Sequence, residues 1–162
     1  YRLNTIEALG LKNKRLLDFG CATGSFLKFA AGVGYEPHGY DVNPYGDYAD
    51  ISVLFDHYAV ATFWDVIEHL PDPYKILRGI NADTVAICTP NTDDFHLGKK
   101  HLHEWRHYYP TEHVHYFNEQ SLRRLLYETG YKPEFIHYKE SKVRDSGGPK
   151  NIITIAGRRM DG

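Results

Sequence analysis

Four sets of residues in this chain have types and spacings suited to chemistry. The first is Asp18-Phe19-Gly20-Cys21-Ala22-Thr23-Gly24-Ser25. These small residues end an apolar run, Leu16 to Phe19, and precede apolar residues at helical spacing: Phe26, Leu27, Phe29 and Ala30. A strand, a tight turn and a helix N-terminus in succession aim backbone N–H groups at one place. Polar or anionic parts of a nucleotide-like ligand bind well there. Gly20 and Gly24 permit unusual backbone angles and present no Cβ to an approaching ligand. The second set is Asp41 with its neighbours Val42 and Asn43, 21 residues after Gly20. A carboxylate closing a second strand at that distance can accept hydrogen bonds from both hydroxyls of a ribose. The third set, Asp65, Glu68 and His69, follows directly on the apolar run Ala59 to Trp64. The fourth is a stretch from Asp93 to Asn118 that holds six of the ten histidines: His96, His101, His103, His107, His113 and His115. Imidazole titrates near neutral pH, so such residues can hydrogen-bond, take a proton or ligate a metal.

The glycine spacing separates ligand classes. A dinucleotide fingerprint needs small residues at the first, third and sixth places of G-x-G-x-x-G. Those places hold Gly20, Ala22 and Ser25, a poor match that weighs against a nicotinamide oxidoreductase. Asp18-x-Gly20-x-Ala22-x-Gly24 instead resembles the first motif of the class I S-adenosylmethionine-dependent methyltransferases. Ala22 stands where glycine is usual, which suits alanine if the backbone needs no positive φ there. Asp65-Val66-Ile67-Glu68-His69-Leu70-Pro71-Asp72-Pro73 resembles the D-V-I-E-H-L-P-D-P segment of the small-molecule subgroup of that family. Thr111-Glu112-His113-Val114-His115-Tyr116-Phe117 resembles its E-H-x-H-x-F segment, which lies over the acceptor site. The resemblance runs from Arg15 to Arg158, with a gap at Pro44 to Tyr58.

The resemblance implies S-adenosyl-L-methionine as cofactor, contacted by Asp18, Gly20, Cys21, Ala22, Gly24, Asp41, Val42, Asn43, Phe63, Trp64 and Asp65. Asp50-Ile51 resembles the acid after the third strand, near the adenine amino group. Methyl transfer from a sulfonium needs alignment of the acceptor atom and exclusion of water, worth about 7–11 kcal/mol of barrier. An oxygen acceptor also profits from a base, for which His69 and His113 are the catalytic candidates. His101-x-His103 and His113-x-His115 have ligand-like spacings, and the set Asp65, Glu68, His69 could hold a hard cation, as in the quinone-type O-methyltransferases that the E-H-x-P-D-P block resembles. Loop pairs of this kind do not define a ligand set, so no metal is expected. The expected reaction is O- or N-methylation of a small molecule; a sugar or sugar nucleotide suits the aromatic, histidine-rich lid. The alternative is a non-catalytic S-adenosylmethionine-binding or scaffold domain.

The elements that must position these residues read as α/β: a Rossmann-like, doubly wound, mostly parallel sheet with an antiparallel C-terminal hairpin strand. Strands are expected over 15–19, 35–42, 59–64, 84–89, 133–139 and 151–158, and helices over 2–11, 25–31, 74–80 and 119–129. Asp72-Pro73 reads as the cap and first residue of the third of these helices. The fifteen or so residues from Pro44 to Tyr58 leave the second helix and third strand reduced. Two final strands joined by a polar loop imply a hairpin at the sheet edge. A length of 162 residues suits one domain, residues 1–162, with 93–118 as an acceptor-side loop or lid. The net charge of −2 suggests neither a nucleic-acid nor a membrane partner, and a monomer or weak homodimer is expected. Cys21 and Cys88 sit in apolar surroundings and read as reduced, which together with the lack of any long apolar run or signal-peptide pattern suits a cytoplasmic protein.

Overall fold

A computed structural model describes residues 1–43, 48–93, 101–144 and 150–160. The described residues form β1 (Arg15–Phe19), β2 (Glu36–Tyr40), β3 (Tyr58–Trp64), β4 (Ala82–Pro90), β5 (Tyr131–His137) and β6 (Ile152–Arg159). The helices are α1 (Arg2–Glu7), α2 (Ser25–Gly32), α3 (Pro73–Gly79), α4 (Glu119–Glu128) and α5 (Lys139–Val143). The strands make one sheet in the order β2-β1-β3-β4-β6-β5. β2, β1, β3 and β4 are mutually parallel, and β6 runs antiparallel to both β4 and β5. This is the expected α/β sheet, with β6 inserted between β4 and the edge strand β5.

Pro90 is the last residue of inner β4, while the prolines within strands lie at the edges. Pro37 lies in β2 and Pro133 in β5, the two outer strands, and the register of β5 shifts between Pro133 and Phe135. A residue with no N–H is tolerated where no inner ladder needs it. The central strands are apolar throughout because both faces are covered, and adjacent residues point to opposite faces. Leu17, Ala61, Phe63 and Ile87 join the layer with α3 and α4. Leu16, Val60, Trp64, Ala86 and Cys88 join the layer with α1 and α2. Capping follows local sequence: Asp72 accepts from Lys75 N–H at 2.9 Å with Pro73 starting α3, and Asn118 and Ser121 cap α4 reciprocally.

Two expectations need correction. Between β2 and β3 the described residues form no strand, only a 3-10 turn, Ile51–Phe55. Asp50 accepts from Ser52 N–H at 2.9 Å, so it caps this turn instead of closing a strand; the Ser52 hydroxyl and then this N–H hold its carboxyl below the usual range. The loop between β5 and β6 holds α5, whose Glu140 and Ser141 are buried and whose Ser141 accepts from Ile152 N–H at 2.8 Å. Gly147-Gly148-Pro149 and His96 lie outside the described residues. Cys21 and Cys88 are free and buried, and among the described residues no helix is long and apolar enough to cross a membrane.

Candidate active site

Because β2, β1, β3 and β4 run the same way, their carboxyl ends share one edge. The chain leaves β1 to one side for β2 and returns on the other for β3, so a crevice opens between the loops after β1 and β3. Ligands of open α/β sheets bind at such a reversal.

One bank is the glycine turn. Gly20, Ala22 and Gly24 have φ of 79°, 47° and 72°. Ala22 therefore stands in the left-handed region, against the expectation of a negative φ, at a cost of about 1 kcal/mol. The turn brings Ala22 N–H to Asp41 Oδ2 at 2.8 Å, while Asn43 N–H reaches Oδ1 at 2.8 Å. Asp41 is half-buried, and each of its oxygens retains a lone pair after these bonds. That donor set fits a nucleoside: an oriented carboxylate at the crevice with acceptor capacity for two sugar hydroxyls. Val42 and Asn43 beside it are exposed.

Behind the turn, Asp18 is 3% exposed and accepts from Thr62 Oγ1 at 2.7 Å. Burial pushes its carboxyl up to about 7, although the Thr62 bond works against this. The side chain thus stiffens the turn from beneath. Cys21 is buried too, its thiol pushed up to about 12 by desolvation, so only its backbone can serve a ligand. The absent Cβ atoms also make room for protein: one on Gly20 would overlap Val66, and one on Gly24 would overlap Tyr48. Tyr48, which sequence reasoning missed, also accepts from Asp41 N–H through its carbonyl at 2.8 Å. Its only signal was proximity in sequence to Asp41.

Phe63 does not line the crevice. It is fully buried and stacks on Phe19 at 5.4 Å, because its strand parity points it to the α3–α4 layer. Trp64 points the other way, meets Phe26 edge-on at 5.6 Å and lies under the Arg2 guanidinium at 5.1 Å. Asp65, at φ 60°, is engaged by Arg2 at 3.2 Å and Arg144 at 2.8 Å, and both arginines also pair with buried Glu140. Arg2 in α1 and Arg144, one residue past α5, were not legible in the sequence; both lie far from Asp65 along the chain.

The other bank starts at the 3-10 turn Ile67–His69, just past β3. Glu68 is 2% exposed, and burial pushes its carboxyl up to about 8. Its carbonyl accepts from Val114 N–H at 2.9 Å and His115 N–H at 3.1 Å, which pins this segment to the turn. His113 is thereby brought to His69, their ring centroids 4.7 Å apart. His69 Nδ1 donates to Glu112 O at 2.9 Å, and His113 Nδ1 donates to His107 O at 2.9 Å. A carbonyl only accepts, so both rings present Nε2 elsewhere. Burial lowers His113 below the usual imidazole value. One donor atom each from Glu68, His69 and His113 lies within 4.8 Å of the others. The structure thus joins the third and fourth sets of the sequence, with His113 where Asp65 was expected. His101 and His103 stack on each other at 5.5 Å and are exposed, and neither belongs to this group.

The profile of the methyltransferase domain family matches residues 2–134. No curated protein matches the sequence. Among solved structures, an S-adenosylmethionine-dependent methyltransferase from Archaeoglobus fulgidus aligns at a TM-score of 0.69 and 17% identity, covering 98% of this chain and 91% of that one. Magnesium protoporphyrin IX methyltransferase from Synechocystis, solved with bound S-adenosylhomocysteine, gives 0.67 and 17%, covering 98% and 80%. The methyltransferase in complex with the Trm112 methyltransferase activator from Haloferax volcanii gives 0.70 and 13%, covering 98% and 89%. When bound, the cofactor supplies a sulfonium methyl that needs no covalent intermediate on the protein. The chain belongs to the methyltransferase domain family.

Proposed function

We propose that the domain methylates a hydroxyl oxygen of a small polar metabolite, a sugar or sugar nucleotide being one class that suits it. Asp41 would hold the cofactor ribose, with the backbone of residues 20–24 and 41–43 around it. Asp65 and Trp64 would lie along the methionine side. The observation that carries the reading is the pair of imidazoles whose Nδ1 atoms are spent on the carbonyls of Glu112 and His107. Their remaining Nε2 atoms suit a hydroxyl, which can donate to one acceptor while its own oxygen lone pair faces the methyl. Tyr109 and Tyr116, which pack against His113, would supply apolar faces for a ring-shaped acceptor. In this reading residues 93–118 form the acceptor-side lid of a single domain acting as a monomer or weak homodimer.

Labelled methyl transfer from S-adenosylmethionine to matched hydroxyl and amine acceptors tests this. Transfer to hydroxyls is expected, and transfer to amines alone would overturn it. His69→Ala is expected to lower turnover about 100-fold while the affinity for S-adenosylhomocysteine changes less than about twofold. Equal loss of both would place His69 in the cofactor pocket.

A further inference from the structure

We infer that the cavity beside α5, lined by Tyr1, Tyr138, Lys139 and Lys142, binds the diphosphate of a nucleotide-linked acceptor. Its place in the fold comes from strand direction. β5 is antiparallel to β6, and β6 to β4, so β5 runs with β1, β2, β3 and β4. The chain after β5 therefore emerges at the edge where the loops after β1 and β3 open the crevice. The cavity there measures about 450 Å3. Arg144, two residues past Lys142, bonds Asp65 at 2.8 Å, so one segment carries the cavity wall and touches the crevice.

The charge around this cavity is unbalanced. Lys139 and Lys142 stand three residues apart on α5, which puts them on one face. Both are exposed, and among the described residues neither forms an ion pair. Lys150, just before β6, adds a third ammonium 5.3 Å from the centroid of the Tyr138 ring. The neighbouring carboxylates are mostly taken. Glu119 accepts from Tyr138 Oη and from Arg123, each at 2.9 Å. Glu140 is buried and paired with Arg2 and Arg144. Of the acids whose charge acts on Tyr138, only Asp93 lacks a cationic partner among the described residues. Three clustered ammonium groups against one such acid favour an anionic ligand.

The lining selects the anion. Lysine binds phosphate as a point charge and needs no forked geometry. The volume lies in the range of small-molecule pockets, about 300–1,000 Å3, and exceeds what one phosphate fills. Tyr1, 60% exposed, offers a ring face on which a nucleobase can stack. Phosphate charge beside an aromatic face is the chemistry of a nucleoside diphosphate. The inference rests on the hydroxyl reading and narrows it to a sugar nucleotide. The sugar would lie toward His69 and His113, and the nucleoside diphosphate toward α5.

The test is calorimetry of uridine diphosphate, pyrophosphate and uridine with the full chain, saturated with S-adenosylhomocysteine so that the cofactor crevice is filled. Uridine diphosphate is expected to bind at least about 10-fold more tightly than either fragment. The double variant Lys139→Gln, Lys142→Gln should lose at least about 10-fold of that affinity, and added salt should weaken it in the parent. Lys12→Gln, ahead of β1 at the opposite edge of the sheet, should bind as the parent does. Circular dichroism shows that each variant is folded; if the double variant is not, the two single variants decide. No binding of uridine diphosphate by the parent, or unchanged binding in the folded variants, overturns the subsite. Pyrophosphate bound as tightly as uridine diphosphate overturns the nucleotide. Methyl transfer to free sugars as efficient as to uridine diphosphate sugars would leave hydroxyl methylation standing while overturning the inference. Lysine-dependent binding with no hydroxyl methylated would keep the subsite and overturn the hydroxyl reading.

Discussion

On the β1–β2 side of the crevice, Asp41 is oriented by two backbone N–H groups from within a 22-residue span, Ala22 to Asn43. On the β3 side, Glu68, His69 and His113 meet only because the segment at Val114 and His115 folds back onto Glu68. The geometry of the first bank is backbone geometry, which the turn itself creates. The second is built of side chains whose spacing depends on packing. In the proposed reading, such a domain would keep its cofactor turn unchanged while its acceptor wall varied.

The largest effect is expected at the wall behind both banks. Phe63→Ala should cost about 3–5 kcal/mol in denaturant unfolding, because it empties a fully buried site. Cofactor affinity of the folded fraction should not change, since the ring faces the α3–α4 layer; a loss of affinity without loss of stability would return Phe63 to the crevice. Asp41→Ala breaks the first bank alone. It should weaken S-adenosylhomocysteine binding about 100-fold, about 2.7 kcal/mol, with little change in unfolding. Calorimetry showing unchanged affinity in a folded variant would contradict the ribose role.

Asp18 sharpens the comparison through pH. Its carboxyl sits near 7 in the folded chain, against an ordinary value of 3.8. The folded state therefore holds a proton that the unfolded chain has released, so this group's contribution to stability falls as pH rises from about 4 to about 7. Asp18→Asn should remove that fall, at most about 1.4 kcal/mol per pH unit, in denaturation without ligand. An unchanged slope would show that Asp18 is ionised behind the turn. The smallest effect is at Ala22. Its φ of 47° predicts that Ala22→Gly raises stability by at most about 1 kcal/mol, and a lowered Tm would show that the turn relaxes around alanine.

The sequence by itself determined what local chemistry decides. The strand, glycine turn and helix from Arg15 to Gly32, the Asp72-Pro73 start of α3 and the Asn118 start of α4 each depend on neighbours a few residues away. The apolar runs of β3 and β4 announced burial on both faces, and the two edge prolines agree with the strand order. The tertiary structure alone decided which residues face which bank. Strand parity turned Phe63 into the core, Arg2 and Arg144 claimed Asp65, and Tyr48 filled the space over Gly24. His113 took the place beside Glu68 and His69 because two backbone bonds to Glu68 O hold it there. Such pairings join residues 24 or more positions apart through packing, and spacing along a chain carries no record of them.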